Sequence, residues 1–253
     1  MIGGGAGAWP PAEYGDAIAA FYDDWYPAEA MSTDEAVNFL AMHAGDGPVL
    51  ELGIGTGRVA LPLADRGLTV HGVDASPAMV ERLRAKPGGD RLEVVIGDLA
   101  DAASLAGTFS LIYIVFNTFF GLPSQEAQVA CFANVAAALH PGGAFVMEAF
   151  VPDMGRFDRG QRVHVDRFDG ETTRMTASIH DPLTQTVRSR HLLIGADGRV
   201  RTFPVDIRYA WPAELNLMAR MAGLDIAERY ADWTRQPFTS SSTAHVSVWR
   251  RPG

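Results

Sequence analysis

The chain has 253 residues, 47% of them hydrophobic, and its 30 acidic against 21 basic side chains leave a formal net charge of −9. With no stretch that concentrates Lys or Arg, this balance argues against a protein that works by neutralising nucleic-acid phosphates. The single cysteine, Cys131, excludes an internal disulfide framework and a zinc site built on several thiolates, and no apolar run approaches the roughly 20 residues that span a bilayer. A cytoplasmic protein is expected, with no membrane partner and enough chain for one or two domains at about 150 residues each.

The Gly-rich start, MIGGGAGAWP, lacks the positive and apolar segments of a secretory signal and reads as a flexible tail. From Tyr14 to Tyr26 the aromatics of YGDAIAAFYDDWY have helical spacing, and Ser32 with Glu35 reads as a capping box opening a second helix through Asn38 and Leu40. An alternation of strands and helices follows. Val49 to Leu52 is a short apolar strand ending in glycines, and Val59, Ala60, Leu63 and Ala64 share one helical face behind it. LTVHGVD is a second strand, with Ser76 and Pro77 as N-cap and first-turn proline of the next helix. LEVVIGD, FSLIYIVF and AFVMEAF are the third to fifth strands, the last two separated by a helix from Pro123 to Leu139 that ends at His-Pro-Gly-Gly. Strands that are apolar throughout and separated by helices predict a parallel sheet covered on both faces.

After Phe150 the rhythm changes. Residues from about Gln161 to Tyr209 alternate polar and apolar, and Ala-Asp-Gly at 196 to 198 signals a hairpin, so an inserted antiparallel sheet is expected. Trp211, Pro212 and Glu214 then open a helix ending at Gly223, and LDIAERY and HVSVWR close the chain as a hairpin. The expected architecture is α/β: a Rossmann-like seven-stranded sheet of five parallel strands plus a terminal antiparallel hairpin, with an inserted antiparallel sheet and an N-terminal helical lid. In domain terms, residues 1–44 form the tail and lid, 45–155 with 211–253 the cofactor domain, and 156–210 the insertion, which roofs an acceptor site or joins two subunits.

Chemistry concentrates in VLELGIGTGRVALPLA. Glu51, Gly53, Gly55 and Gly57 fall at the carboxyl end of the first strand, where open α/β sheets bind ligands. Asp74 ends the second strand, placed to accept ribose hydroxyls. Asp98 ends the third, placed for an adenine amine.

The motifs ELGIGTG, GVDAS, IGDL and LHPGGAFVMEAF together resemble the class I S-adenosylmethionine-dependent methyltransferases, over roughly Val49 to Val151 plus the closing hairpin. The resemblance implies S-adenosyl-L-methionine as cofactor. It assigns the methionine part to Gly53, Gly55 and Gly57, the ribose to Asp74 with Ala75, and the adenine to Asp98 with Leu99. FYDDWY looks like the aromatic lid of small-molecule members, especially amino-sugar N-methyltransferases and glycine N-methyltransferase relatives. Two other readings stay open. Gly55-x-Gly57-x-x-Ala60 also satisfies a dinucleotide oxidoreductase pattern, and an inactive cofactor-binding regulator would keep the same glycines and acids.

Single residues divide between chemical and structural roles. Glu51, an acid among apolar neighbours, suits support of the glycine loop. If the last strand lies beside the fifth, Asn117, Glu148 and His245 overlook the site. Glu148 and His245 are then candidate general bases, with structural hydrogen bonding as the alternative for each. Tyr22 and Tyr26 share a helical face beside the cofactor, and Tyr209 and Trp211 are candidates to line the acceptor pocket. His140 suits the carboxyl end of its helix. Neither HxxxH nor HExxH occurs, so no metal is expected. The expected activity is methyl transfer to a nitrogen or oxygen of a small molecule.

Overall fold

A computed structural model describes residues 11–99 and 109–253; the Gly-rich tail lies outside the described residues. The larger of two sheets contains β1 (Val49–Leu52), β2 (Val70–Asp74), β3 (Glu93–Ile96), β4 (Phe109–Ile114), β5 (Leu139–Phe150), β10 (Asp225–Tyr230) and β11 (Ala244–Arg250). Their order is β10-β11-β5-β4-β1-β2-β3. The first five strands run parallel, whereas β11 pairs antiparallel with both β5 and β10. β1 and β4 are buried at every position, as central parallel strands covered on two faces must be.

Side chains alternate across the sheet and feed two cores. Leu50, Leu52, Ile112, Ile114, Phe145, Met147 and Trp249 meet α6 (Gln125–Ala138) and α7 (Pro212–Met221) on one face. Val49, Leu111, Tyr113, Val146 and Val248 meet α3 (Thr33–His43) and α4 (Ala60–Asp65) on the other. Following β2, the expected cap forms: the Ser76 hydroxyl accepts the Met79 N–H at 3.2 Å at the start of α5 (Pro77–Arg84).

The second sheet is the insertion, with β6 (Gln161–Phe168), β7 (Thr172–Asp181), β8 (Thr186–Gly195) and β9 (Val200–Arg208) in sequential antiparallel order. Gly198 at φ +76 makes the turn that the Ala-Asp-Gly signal predicts. A buried polar network fixes this sheet to the larger unit. Arg208, 5% exposed at the end of β9, donates to Gln128 of α6 at 2.5 Å and to Glu214 of α7 at 2.7 Å. Gln125 and Gln185 donate to the same Glu214 carboxylate.

Three local expectations need correction. The segment from Tyr14 to Tyr26 is not one helix: α1 (Pro11–Ile18) passes through a 3-10 turn over Ala19–Phe21 into α2 (Tyr22–Trp25). Ser32 precedes α3 with left-handed backbone and caps no N–H with its side chain, so the capping box does not form. The carboxyl end of α6 is served not by His140 but by Arg251, which donates to the carbonyls of Ala136 at 3.0 Å and of Leu139.

Removing one member of a buried ion pair strands the other, at a cost of about 3 kcal/mol or more. Arg208→Ala is therefore expected to lower the unfolding free energy in urea by about 3 kcal/mol, while Arg208→Leu combined with Glu214→Leu recovers most of the loss.

Candidate functional site

The order β4-β1-β2 places the reversal of winding between β1 and β4, and a cleft opens at the carboxyl ends of these strands. Glu51, Gly53, Ile54, Gly55, Thr56 and Arg58 line it from the β1 side, Val115, Phe116 and Thr118 from the β4 side, and Tyr22 from the lid. The glycine loop is fixed by backbone bonds. Gly53 N–H donates to the Val73 carbonyl at 2.8 Å, and Gly57 N–H closes a turn on the Ile54 carbonyl at 2.9 Å. A side chain at Gly53, φ +75, would meet Thr118 at 2.5 Å. At Gly55, φ +53, a Cβ meets nothing nearer than the Gly53 carbonyl at 4.0 Å, so this backbone stands open to a ligand.

Two acids border the loop, and Asp74 is bonded to it. Glu51 is 2% exposed, and burial raises its carboxyl to about 8, although the Tyr113 hydroxyl donates to it at 3.0 Å and Arg58 adds positive field. Asp74 accepts the Gly55 N–H at 2.7 Å and the Ser76 N–H at 2.8 Å. Burial raises its carboxyl as well, against the pull of those two N–H groups. Ala75 lies half-buried between Asp74 and Ser76. Half-buried Asp98 and Leu99 follow β3, with the Leu99 side chain 3.7 Å from where a Gly53 Cβ would sit.

The far wall is a strained turn after β4. Phe116 and Asn117 both have positive φ, +56 and +63, which non-glycine residues adopt only where neighbours enforce it. Glu148 enforces it here: Oε2 accepts the Phe116 N–H at 2.8 Å, Oε1 accepts the Trp233 indole N–H at 3.0 Å, and its backbone carbonyl accepts the Asn117 N–H. Asn117 reaches away from the cleft, its Oδ1 accepting the Phe150 N–H at 2.7 Å.

β11 does lie beside β5, yet Glu148 and His245 are not brought together. Glu148 registers with Val246 and His245 with Ala149, so the two side chains leave opposite faces of the sheet. His245 is fully buried, with Nδ1 2.9 Å from the Ser247 hydroxyl, and burial with the nearby Arg229 pushes it down to about 3. Tyr22 and Tyr26 do converge on the cleft: their ring centres are 5.1 Å apart, and Tyr26 packs at 4.9 Å on Phe116. Tyr209 lies in the core beneath the inserted sheet, 3.0 Å from His180, and Trp211 sits at the start of α7, 43% exposed. Neither lines the cleft.

Sequence reasoning missed Thr56, Phe116 and Thr118 as cleft residues, and it missed the lid latch. Thr56 donates to Asp23 of the lid at 2.6 Å, and Lys86 joins Asp23 at 2.9 Å to the Thr56 carbonyl at 2.9 Å. Ser76, beside Asp74, donates to Asp16 of α1 at 2.5 Å. The acids in YGDAIAAFYDDWY were available as a signal, but their partners lie far along the chain.

A doubly wound α/β sheet with an open glycine turn at its switch point, an acid beneath the turn and another at the next strand end defines a nucleoside-cofactor enzyme. Its residues 49–143 match the family model described as "Methyltransferase domain". The cypemycin N-terminal methyltransferase of a Streptomyces species is 31% identical over 204 residues, 80% of this chain and 82% of that protein. The solved CcbJ methyltransferase of Streptomyces caelestis is 40% identical, with a TM-score of 0.90 over 97% of this chain and 100% of that one. CalS10 of Micromonospora echinaspora, an amino pentose methyltransferase solved with S-adenosylmethionine, is 23% identical and shares the fold at a TM-score of 0.68 over 91% of this chain and 96% of that one. The chain belongs to the S-adenosylmethionine-dependent methyltransferases.

A carboxyl raised by folding makes the folded state the better proton binder, so its burial is best tolerated below its unfolded value of 4.5 and opposes folding as pH rises toward about 8. The Glu51→Gln variant is expected to lack this decline. In paired urea titrations its stability gains on wild type across that window, by up to about 1.4 kcal/mol per pH unit.

Proposed function

We propose that this methyltransferase acts on a small molecule of the secondary-metabolite kind, with an amine nitrogen as first choice of target and an oxygen as second. The observation that carries the cofactor placement is the open Gly55 backbone with its N–H held by Asp74. The carboxylate oxygens of Asp74 each hold one backbone N–H and retain lone-pair capacity for ribose hydroxyls. Asp98 and Leu99 stand one strand further along, for the adenine.

Bound S-adenosylmethionine supplies an activated methyl group, so the chain's own task is positioning and exclusion of water. Near-attack placement of this kind is worth up to about 7 to 11 kcal/mol. Tyr22, Tyr26 and Phe116 bring aromatic rings together at the cleft, and an open ring face favours a cationic centre. The lid covers the cleft through Asp16 and Asp23. In this reading Glu148 is a positioning residue, holding the Phe116 turn, and His245 is a core residue. An amine attacks through its own lone pair, whereas a hydroxyl needs a base to take its proton. Neither Glu148, which holds the Phe116 turn, nor His245, fully buried on the opposite face of the sheet, lines the cleft to serve as that base, and nitrogen is favoured. The printed function of the cypemycin relative, an N-terminal methyltransferase, supports the same choice.

A second copy of the chain is proposed as partner through the insertion. β6 is an edge strand with Val163 and Val165 exposed by 66% and 55%. Antiparallel pairing with its copy about His164 sets Arg162 opposite Asp166 and Val163 opposite Val165. Light scattering should give twice the chain mass for the wild type and the single mass for Val163→Lys with Val165→Lys; a monomeric wild type refutes the pairing.

Calorimetry with S-adenosylhomocysteine tests the cofactor placement. Asp74→Ala is expected to weaken binding at least a hundredfold while leaving the melting temperature within a few degrees. Tight NADH binding by the wild type without response to S-adenosylhomocysteine contradicts it.

A further inference from the structure

Among the described residues that line the cleft, one side chain is basic: Arg58, which directly follows the last glycine of the loop and is half-buried. Two contacts fix its head group. Nη1 donates to the hydroxyl of Thr33, the first residue of α3, at 2.9 Å, and the guanidinium carbon lies 5.6 Å from the centre of the Phe116 ring. Arg58 thus reaches from the glycine loop on the β1 side of the cleft to the turn on the β4 side.

Its charge is not balanced by the protein. Lys86 is matched to Asp23 and Arg208 to Glu214, but no carboxylate stands within ion-pair distance of Arg58 among the described residues. Glu51 and Glu148 feel its field, yet each is engaged elsewhere, Glu51 by the Tyr113 hydroxyl and Glu148 by the Phe116 N–H and the Trp233 indole. Burial raises Glu51 to about 8, so at neutral pH it carries a proton and cancels little of the arginine's charge. A half-buried charge without a counter-ion is costly until an anion joins it. A guanidinium held by one N–H and laid on a ring keeps the rest of its fork for a planar carboxylate.

Strand order decides which end of the cosubstrate meets this cation. With the ribose at Asp74, ending β2, and the adenine at Asp98, following β3, the amino-acid end runs the opposite way, across β1 toward β4. Arg58 and Phe116 lie in that direction, and the α-carboxylate is the one anionic group S-adenosylmethionine carries.

We infer that Arg58 holds the α-carboxylate of the cosubstrate and so selects ligands with an intact amino-acid end. This rests on the cofactor placement proposed above. The probes are S-adenosylhomocysteine and its decarboxylated analogue, which keeps nucleoside, sulfur and amine and lacks only the carboxylate, each titrated by calorimetry. The wild type should bind S-adenosylhomocysteine at least tenfold more tightly than the analogue. Arg58→Gln should weaken S-adenosylhomocysteine at least tenfold and leave the analogue's Kd unchanged within twofold, which also reports an intact cleft. A wild type that does not distinguish the two ligands, a preference that survives in Arg58→Gln, or equal weakening of both overturns the inference. Wild-type binding that Asp74→Ala weakens for both ligands alike then leaves the cofactor placement standing, whereas a wild type that binds neither overturns both.

Discussion

A parallel sheet ends in loops whose backbone N–H groups have no strand to pair with, and at its carboxyl edge this protein satisfies them with carboxylates. Asp74 takes the N–H of Gly55 and of Ser76, and Glu148 takes that of Phe116. An unpaired buried N–H costs about as much as a lost hydrogen bond, so these acids decide which loop conformations are accessible. Gly55 can face a ligand because Asp74 holds its N–H, and Phe116 can stand in a left-handed conformation because Glu148 holds its own. The two walls of the cleft thus depend on acids drawn from β2 and β5, the outer neighbours of β1 and β4.

Charge is distributed by function across the fold. Glu51 is buried at the wall of the cleft, at a cost expressed in its raised carboxyl. Arg208 and Glu214 fasten the insertion to α6 and α7 through a pair that is hydrogen-bonded on nearly every polar atom. The arginines facing the lid rest on rings instead. One guanidinium type therefore serves a carboxylate joint in one place and a ring contact against the lid in another.

Much of this was legible in the sequence. Fully apolar strands such as FSLIYI, separated by helices, imply the covered parallel sheet, and the alternation from Gln161 onward implies the insertion, because period and burial are local properties. The glycine string and the acids at 51, 74 and 98 mark the carboxyl edge of the sheet, where the cofactor is proposed to bind, for the same reason. What escaped is non-local. Asp23 meets Thr56 and Lys86, and Glu148 meets Phe116 and Trp233, through pairings between distant segments that no periodicity encodes. The failed capping box at Ser32 shows the converse: a correct local pattern yields to the chain's approach from the lid, which sets that residue left-handed. His245 and Glu148 look like companions on adjacent strands, and a register one residue out of step separates them.

The latch made by Asp23, Thr56 and Lys86 has a kinetic meaning. It joins the lid to the glycine loop, so in the proposed placement a cosubstrate that enters or leaves over Gly55 parts a hydrogen bond and an ion pair that are only half-buried. Such contacts weaken as ions screen them. Exchange of spent cosubstrate for fresh would then quicken with rising salt, wherever release of product rather than chemistry limits the cycle.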